Sequence, residues 1–358
     1  MKPRNTLILA AVAAAALAAG WQFGLRTTPV GQMEVAPGSL VFPGLAAKLQ
    51  DARRIEVTHQ GKTMVIAQEN GKWGLADRGG FPVQADKLRE LLTGLTELRI
   101  TEPRTSDPAQ YSRLGVEDAQ PPTSNSNLLR VLDSNGKPIA ELIVGHRRVR
   151  TQGNVPESIY VRRPGEAGSW LAEGRLPVDA DPQLWFDRDI ANIDHARIAT
   201  IEVKRGDATL EFGRDGDKLT LKSPAEHPKL DEYRLEDIGR GLEALTLTDV
   251  KPAAQQSGEK IGTAVMTTTD GLKVTVTVFK ADKDIWAQFA ATGEDKAKAE
   301  AEALQARVAG WTYQVGSWKE KAFVPTLDDL KASEPAPAAA TPQPGSPPAD
   351  DAAKPAVQ

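Results

Sequence analysis

The stretch IEVTHQGKTMVIAQENGKWGL, from Ile55 to Leu75, returns later in the chain as IEVKRGDATLEFGRDGDKLTL, from Ile201 to Leu221. The two align without a gap. Ile55 pairs with Ile201, Val57 with Val203, Thr63 with Thr209, Met64 with Leu210, Ile66 with Phe212, Lys72 with Lys218 and Leu75 with Leu221. Short apolar segments alternate with polar residues, which is the period of half-buried strands. Turn residues interrupt them at Gly61 or Gly206-Asp207, and again at Asn70-Gly71 or Asp215-Gly216. Asn-Gly and Asp-Gly supply the positive φ that tight hairpins need. Each copy therefore predicts a meander of about three antiparallel strands.

A helix is predicted after each meander. ADKLRELLTGLTEL sets Leu88, Leu91, Leu92, Leu95 and Leu98 at helical spacing, with Asp86 placed to cap its start. DEYRLEDIGRGLEAL answers with Leu235, Ile238, Leu242 and Leu245. Pro82 and Pro228 read as turns before these helices, and short strands follow at RITEP near Ile100 and LTLTDVKP near Leu247. The expected fold class is α+β: two tandem copies of a mainly antiparallel β-β-β-α-β unit, with additional strands and helices, after one N-terminal transmembrane helix. The additional strands are expected at NLLRVLD, IAELIVG, SIYVRR and SWLAE in the first half, and at GTAVMTTTDG and the hairpin LKVTVTVFKADKDIWAQFA in the second. An Ala- and Glu-rich helix is expected from about Lys296 to Val308.

The transmembrane helix is read from Leu7 to Leu25, an uncharged run behind Lys2 and Arg4. At about 1.5 Å per residue it makes roughly 28 Å of helix, close to the hydrocarbon thickness of a bilayer. Positive charge before the run keeps the N-terminus inside and sends the body across. The rival reading is a cleaved signal peptide, since Ala16-Leu17-Ala18 resembles a small-residue cleavage site. Both readings export the body. The expected organisation is an anchor at 1–25, a juxtamembrane linker at 26–50, α+β repeats at 51–192 and 193–331, and a Pro/Ala-rich tail at 332–358, too poor in large apolar groups to pack.

Composition narrows the chemistry. The chain has no cysteine, so its own residues supply no disulfide, thiolate nucleophile, cysteine zinc site or acylated cysteine. A net charge of −4 with dispersed Lys and Arg argues against nucleic acid as partner. His59, His146, His195 and His227 show no metal-ligand spacing, and no nucleophile elbow, Walker loop or dinucleotide fingerprint occurs. No catalytic residue, cofactor or metal is expected. In LWFDRDI, Asp187 and Asp189 flank Arg188; two carboxylates in one short segment do not oppose each other across a substrate. The segment therefore reads as a connector, with Trp185 and Phe186 packed inside and Arg188 held by a carboxylate.

Two clusters remain as candidate contact surfaces. Arg147, Arg148 and Arg150, with Arg162 and Arg163 on a neighbouring strand, could form a basic patch for anionic headgroups or an acidic segment, against the default of a solvated strand face. Trp311, Tyr313 and Trp318 in GWTYQVGSWKEKAF could anchor an interface, although their helical spacing to Val315 and Ala322 favours a core.

The ordered series GKWGL, FPVQADKLRELLTGLTELRITEP, YSRLGVED, IYVRR, LWFDRDI and GWTYQVGSWKEKAF resembles the bacterial family called domain of unknown function 4340, from about Asp51 to Leu330. The resemblance implies a protein anchored in the bacterial inner membrane, single-pass, with its body on the periplasmic side. It also implies that the protein is encoded beside ABC-type transport systems related to the gliding-motility apparatus. It carries over no catalytic residue. The expectation is a non-enzymatic accessory or scaffold component of an ABC-type transport complex. The alternative is a periplasmic module binding a glycan, peptide or lipid.

Overall fold

The computed structural model describes residues 36–148 and 157–332. The apolar run at 7–25, Arg150 and the tail beyond Ala332 lie outside the described residues. Among the described residues, no helix is long and apolar enough to cross a membrane. The chain forms two compact units. The first runs to Arg188 and also takes in Thr248–Gln255; the second comprises Asp189–Leu247 and the chain from Gln256.

In the first unit, β1 (Arg54–His59), β2 (Lys62–Glu69) and β3 (Lys72–Leu75) form the expected meander. Ile55 faces Ile66 and Val57 faces Met64 across the first hairpin, and all four are buried. Both two-residue turns, Gln60-Gly61 and Asn70-Gly71, have positive φ throughout, which matches the right-handed twist of the flanking strands. Pro82 is not in a turn. It belongs to β4 (Phe81–Pro82) at the outer edge of the sheet, where a missing N–H costs little. Next comes α1 (Ala85–Glu97), which buries Leu88, Leu91 and Leu95. Asp86 sits within its first turn, 2.6 Å from Arg89, and Gln84 holds the capping position without a side-chain bond.

The sheet is completed by β5 (Arg99–Pro103), β6 (Asn127–Leu132), β7 (Pro138–Arg148), β8 (Ser158–Arg162) and β9 (Ser169–Glu173), in the order β4-β3-β2-β1-β6-β7-β8-β9-β5. The stretch read as linker up to residue 50 is, from Gly38 onward, built into this unit. Leu40 bridges Arg99, the Val41 amide donates to the Leu98 carbonyl, and Val41 and Leu45 are buried.

The second unit opens with β10 (Asp189–Ala191) and then the meander β11 (Ile198–Arg205), β12 (Ala208–Asp215) and β13 (Lys218–Ser223). Ile201 faces Phe212 and Val203 faces Leu210, position for position as in the first meander. The next helix, α2 (Glu232–Gly239), is capped by Asp231, whose carboxylate accepts from the Tyr233 amide. The chain then forms β14 (Leu245–Thr246), which pairs with β10. It continues through β15 (Asp249–Pro252), within the segment that belongs to the first unit. There Arg78 donates to Asp249 at 2.5 Å, and Pro252 lies so close to Gly79 that a Cβ on the glycine would overlap it.

Then follow β16 (Glu259–Thr268), β17 (Lys273–Ala281), β18 (Asp284–Thr292), α3 (Lys298–Val308), β19 (Trp311–Val315) and α4 (Lys319–Phe323). The strand sequence β13-β12-β11-β16-β17-β18-β19 repeats the connection order of β3-β2-β1-β6-β7-β8-β9. The registers agree one strand further out: Ile55 faces Val131 on β6 as Ile201 faces Met266 on β16. The incoming chain of the second unit is also tied to the stretch after its helix, the Ile193 amide donating to the Leu242 carbonyl.

Candidate functional site

An apolar concavity of about 660 Å³ lies along the outer side of α1 in the first unit. Leu92, Thr93 and Thr96 of the helix form one wall, and Trp73 on β3 with Val83 and Leu49 forms the other. This geometry follows from the stripe. Leu88, Leu91 and Leu95 turn into the sheet, so Leu92 comes to rest half-buried at the shoulder. Leu92 is therefore a groove residue, although its spacing placed it with the inward leucines. Lys72 and Arg89 stand at the rim.

The corresponding helix shoulder in the second unit is ionic. His195 Nδ1 lies 3.1 Å from Glu243 and 3.4 Å from Asp194, and its Nε2 lies 3.2 Å from Glu236 and 3.3 Å from Arg240. Arg240 also bridges Glu243 at 3.2 Å. Both imidazole nitrogens are thus engaged, and neither is left to meet a substrate. Among the described residues no group of His, Asp or Glu has the geometry to hold a metal ion.

The arginines do not form one basic surface. Arg162 is a correction to the candidate patch: it is 5% exposed, with Nε on the Val116 carbonyl, Nη2 on Asp118 at 2.7 Å and its guanidinium over the Tyr111 ring. The cause is the chain around Tyr111–Leu114, which packs Tyr111 and Val116 with Ile143 on this strand pair and covers an alternate face of β8. Arg163, on the opposite face, donates to the Val41 carbonyl and lies 3.6 Å from Glu166. Arg147 donates to Glu157 through Nε and Nη2, and Arg148 ends β7 opposite Ser158. Arg150 lies outside the described residues. Each of Arg147, Arg162 and Arg163 is neutralised by its own carboxylate.

The three aromatics separate as well. Trp311–Val315 is a strand, so Trp311 and Tyr313 lie on one face of β19 and the helical spacing was misleading. Tyr313 is buried against Phe289, its hydroxyl donates to the Arg307 carbonyl, and burial pushes its pKa up. It therefore presents no surface for an interface. Trp318 is 64% exposed. Sequence reasoning passed over its neighbour Lys319, which is buried, donates to the Gly241 carbonyl at 2.6 Å and has its pKa lowered to about 8 by desolvation, against the pull of Glu243.

In LWFDRDI, Trp185 and Phe186 are fully buried in the first unit. Phe186 meets Phe81 edge-on, and Gln84 donates to both main-chain carbonyls. Asp189 begins β10, so the segment ends one unit and starts the next. His227 is exposed, His59 is half-buried with Nδ1 against the Ser126 carbonyl, and His146 packs against Gly115.

These features define an α+β protein with an antiparallel sheet in each unit and an apolar groove beside α1. The model of the family described as Domain of unknown function (DUF4340) matches residues 73–262, more than half of the chain, and the chain belongs to that family. No curated protein and no solved structure matches it.

Proposed function

We propose that this protein is a membrane-anchored, non-enzymatic docking component of an ABC-type transport complex on the extracytoplasmic side, and that its body arose by tandem duplication of one α+β unit. The observation that carries the docking role is the apolar groove on α1. In the matching place on α2 the fold tolerates a filled network of charges, so an open apolar shoulder is not something the architecture requires. An unfilled apolar groove of this size on a small unit is characteristic of a recognition surface.

The occupant is an amphipathic helix from a membrane component of the complex. A helix lays an apolar i, i+3, i+4, i+7 stripe into such a groove, and Lys72 in its lining favours one with a carboxylate beside that stripe, Arg89 being already paired with Asp86. The recurrence of strand order and register in the two units supports the duplication. The resemblance of the chain to transport-associated relatives and the uncharged run at 7–25 support the setting.

The test is a photo-crosslinking residue placed at Thr93 or Thr96 in native membranes, with the same residue at Arg240 as control. The expected outcome is an adduct to one membrane protein of a transporter from the groove positions and none from the control. Adducts to lipid alone, or equal adducts from both units, would overturn the assignment.

A further inference from the structure

Trp318 is the second unit's one exposed indole among the described residues, yet it is held in place. A Cβ on Gly316 would stand 2.7 Å from the indole Nε1, so the ring lies directly on backbone. The buried Lys319 ammonium, fixed by the Gly241 carbonyl, sits 4.3 Å from the ring centroid. The ring lines a cavity of about 320 Å³ with Arg234, Asp237, Lys321, Asp329 and Leu330.

The polar groups around it are also ordered. Asp329 accepts from the amide and hydroxyl of Thr326 and pairs with Lys321 at 3.0 Å; burial alone would raise its pKa, but these bonds hold it down at about 2. Arg234 donates to the Asp329 carbonyl. Asp237 is exposed and has no ion pair among the described residues.

The chemistry selects the ligand by elimination. Two cations and two carboxylates line the cavity, so an anion gains nothing net. A cationic ligand over the indole would meet the Lys319 charge already beside the ring. An apolar segment would strip water from Asp237 and Arg234 without replacing it. What fits is a neutral molecule with an apolar face and a hydroxylated edge. A pyranose ring has both: its axial C–H bonds lie against the electron-rich indole face, while hydroxyls donate to a carboxylate and accept from a guanidinium. The volume is at the low end of ligand pockets, suited to one ring of a longer chain.

We propose that Trp318 is the stacking platform of a glycan-binding site that takes a neutral pyranose unit, with Asp237 accepting from its hydroxyls and Arg234 donating to its oxygens. This site is independent of the groove on α1. The full chain in lipid nanodiscs is titrated with the tetrasaccharides of N-acetylglucosamine and of glucose, read by saturation-transfer NMR and tryptophan fluorescence. Saturable binding of at least one is expected, weakened at least tenfold by Trp318→Ala and measurably by Asp237→Asn, and unchanged by Leu92→Glu. Because Trp318 and Asp237 are exposed, both variants should melt as the parent does. Absence of saturable binding to either sugar, or undiminished binding by Trp318→Ala, overturns the proposal and leaves the docking role of the groove standing.

Discussion

Set side by side, α1 and α2 with its following turn point similar residues inward: Leu88, Leu91 and Leu95 in one, Leu235, Ile238 and, in the turn at Arg240–Leu242, Leu242 in the other, all buried. Their shoulders diverge. Where α1 shows Leu92, Thr93 and Thr96, the second unit has Gly239, Arg240 and Glu243. Leu49 lines the groove of the first unit, whereas His195 joins the charges of the second. The stripe that meets the sheet is constrained by packing, because a core leaves no space for polar atoms without partners. The shoulder carries no such constraint, and the two units fill it with different side chains.

The largest test of this comparison lies in the stripe. Leu91→Ala and Ile238→Ala should each destabilise by about 2–5 kcal/mol in urea unfolding, since both side chains are fully buried. A cost well under 1 kcal/mol for either would break the equivalence of the helices.

The glycines of the two helices should then differ in sign. In α1 a Cβ on Gly94 would stand 2.3 Å from the Arg175 carbonyl oxygen, so Gly94→Ala is expected to cost about 1–3 kcal/mol. In α2 the nearest atom to a Cβ on Gly239 is 3.8 Å away, and Gly239→Ala should stabilise by about 0.5–1 kcal/mol. Thermal denaturation of the pair reads both.

Lys319 gives the second unit a pH signature. Its folded pKa of about 8 lies below the ordinary 10.5, so the unfolded chain binds this proton more tightly. The cost of burying the ammonium is present in full below about pH 8 and fades as pH rises toward 10.5. Stability should therefore climb across that window in the parent, and the climb should be absent in Lys319→Met. The smallest effect is expected at the half-exposed ionic shoulder: His195→Gln should change stability by less than about 1 kcal/mol, measured by the same urea titration.

The meanders were legible in the sequence because alternation and turn chemistry agree at every step from Ile55 to Leu75 and from Ile201 to Leu221. Leu92 was read on the wrong side because five leucines in one helix satisfy a broad stripe, and only the sheet decides which of them turn inward. β19 was missed because Trp311 and Val315 fit a helical spacing as well as an alternating one, although Trp-Thr-Tyr-Gln-Val is rich in strand-favouring residues. Arg162 carries no local sign of burial; its environment is made by Tyr111 and Val116, far away in the chain. Of the candidate surfaces, Trp318 was visible as an aromatic, but its cavity is assembled from α2 and from residues after α4 that no local pattern connects.

The exchange of Thr248–Gln255 into the first unit bears on how the protein is made. The contiguous stretch up to Arg188 is not yet a finished unit when it leaves the ribosome, for Arg78 still lacks Asp249 and Gly79 still lacks Pro252. At synthesis rates of about 5–20 residues per second, the segment that carries these partners arrives seconds later, after α2 has been made. Severing the chain after Arg188 would part Arg78 from Asp249 and Gly79 from Pro252, contacts of the first unit that only the later segment supplies.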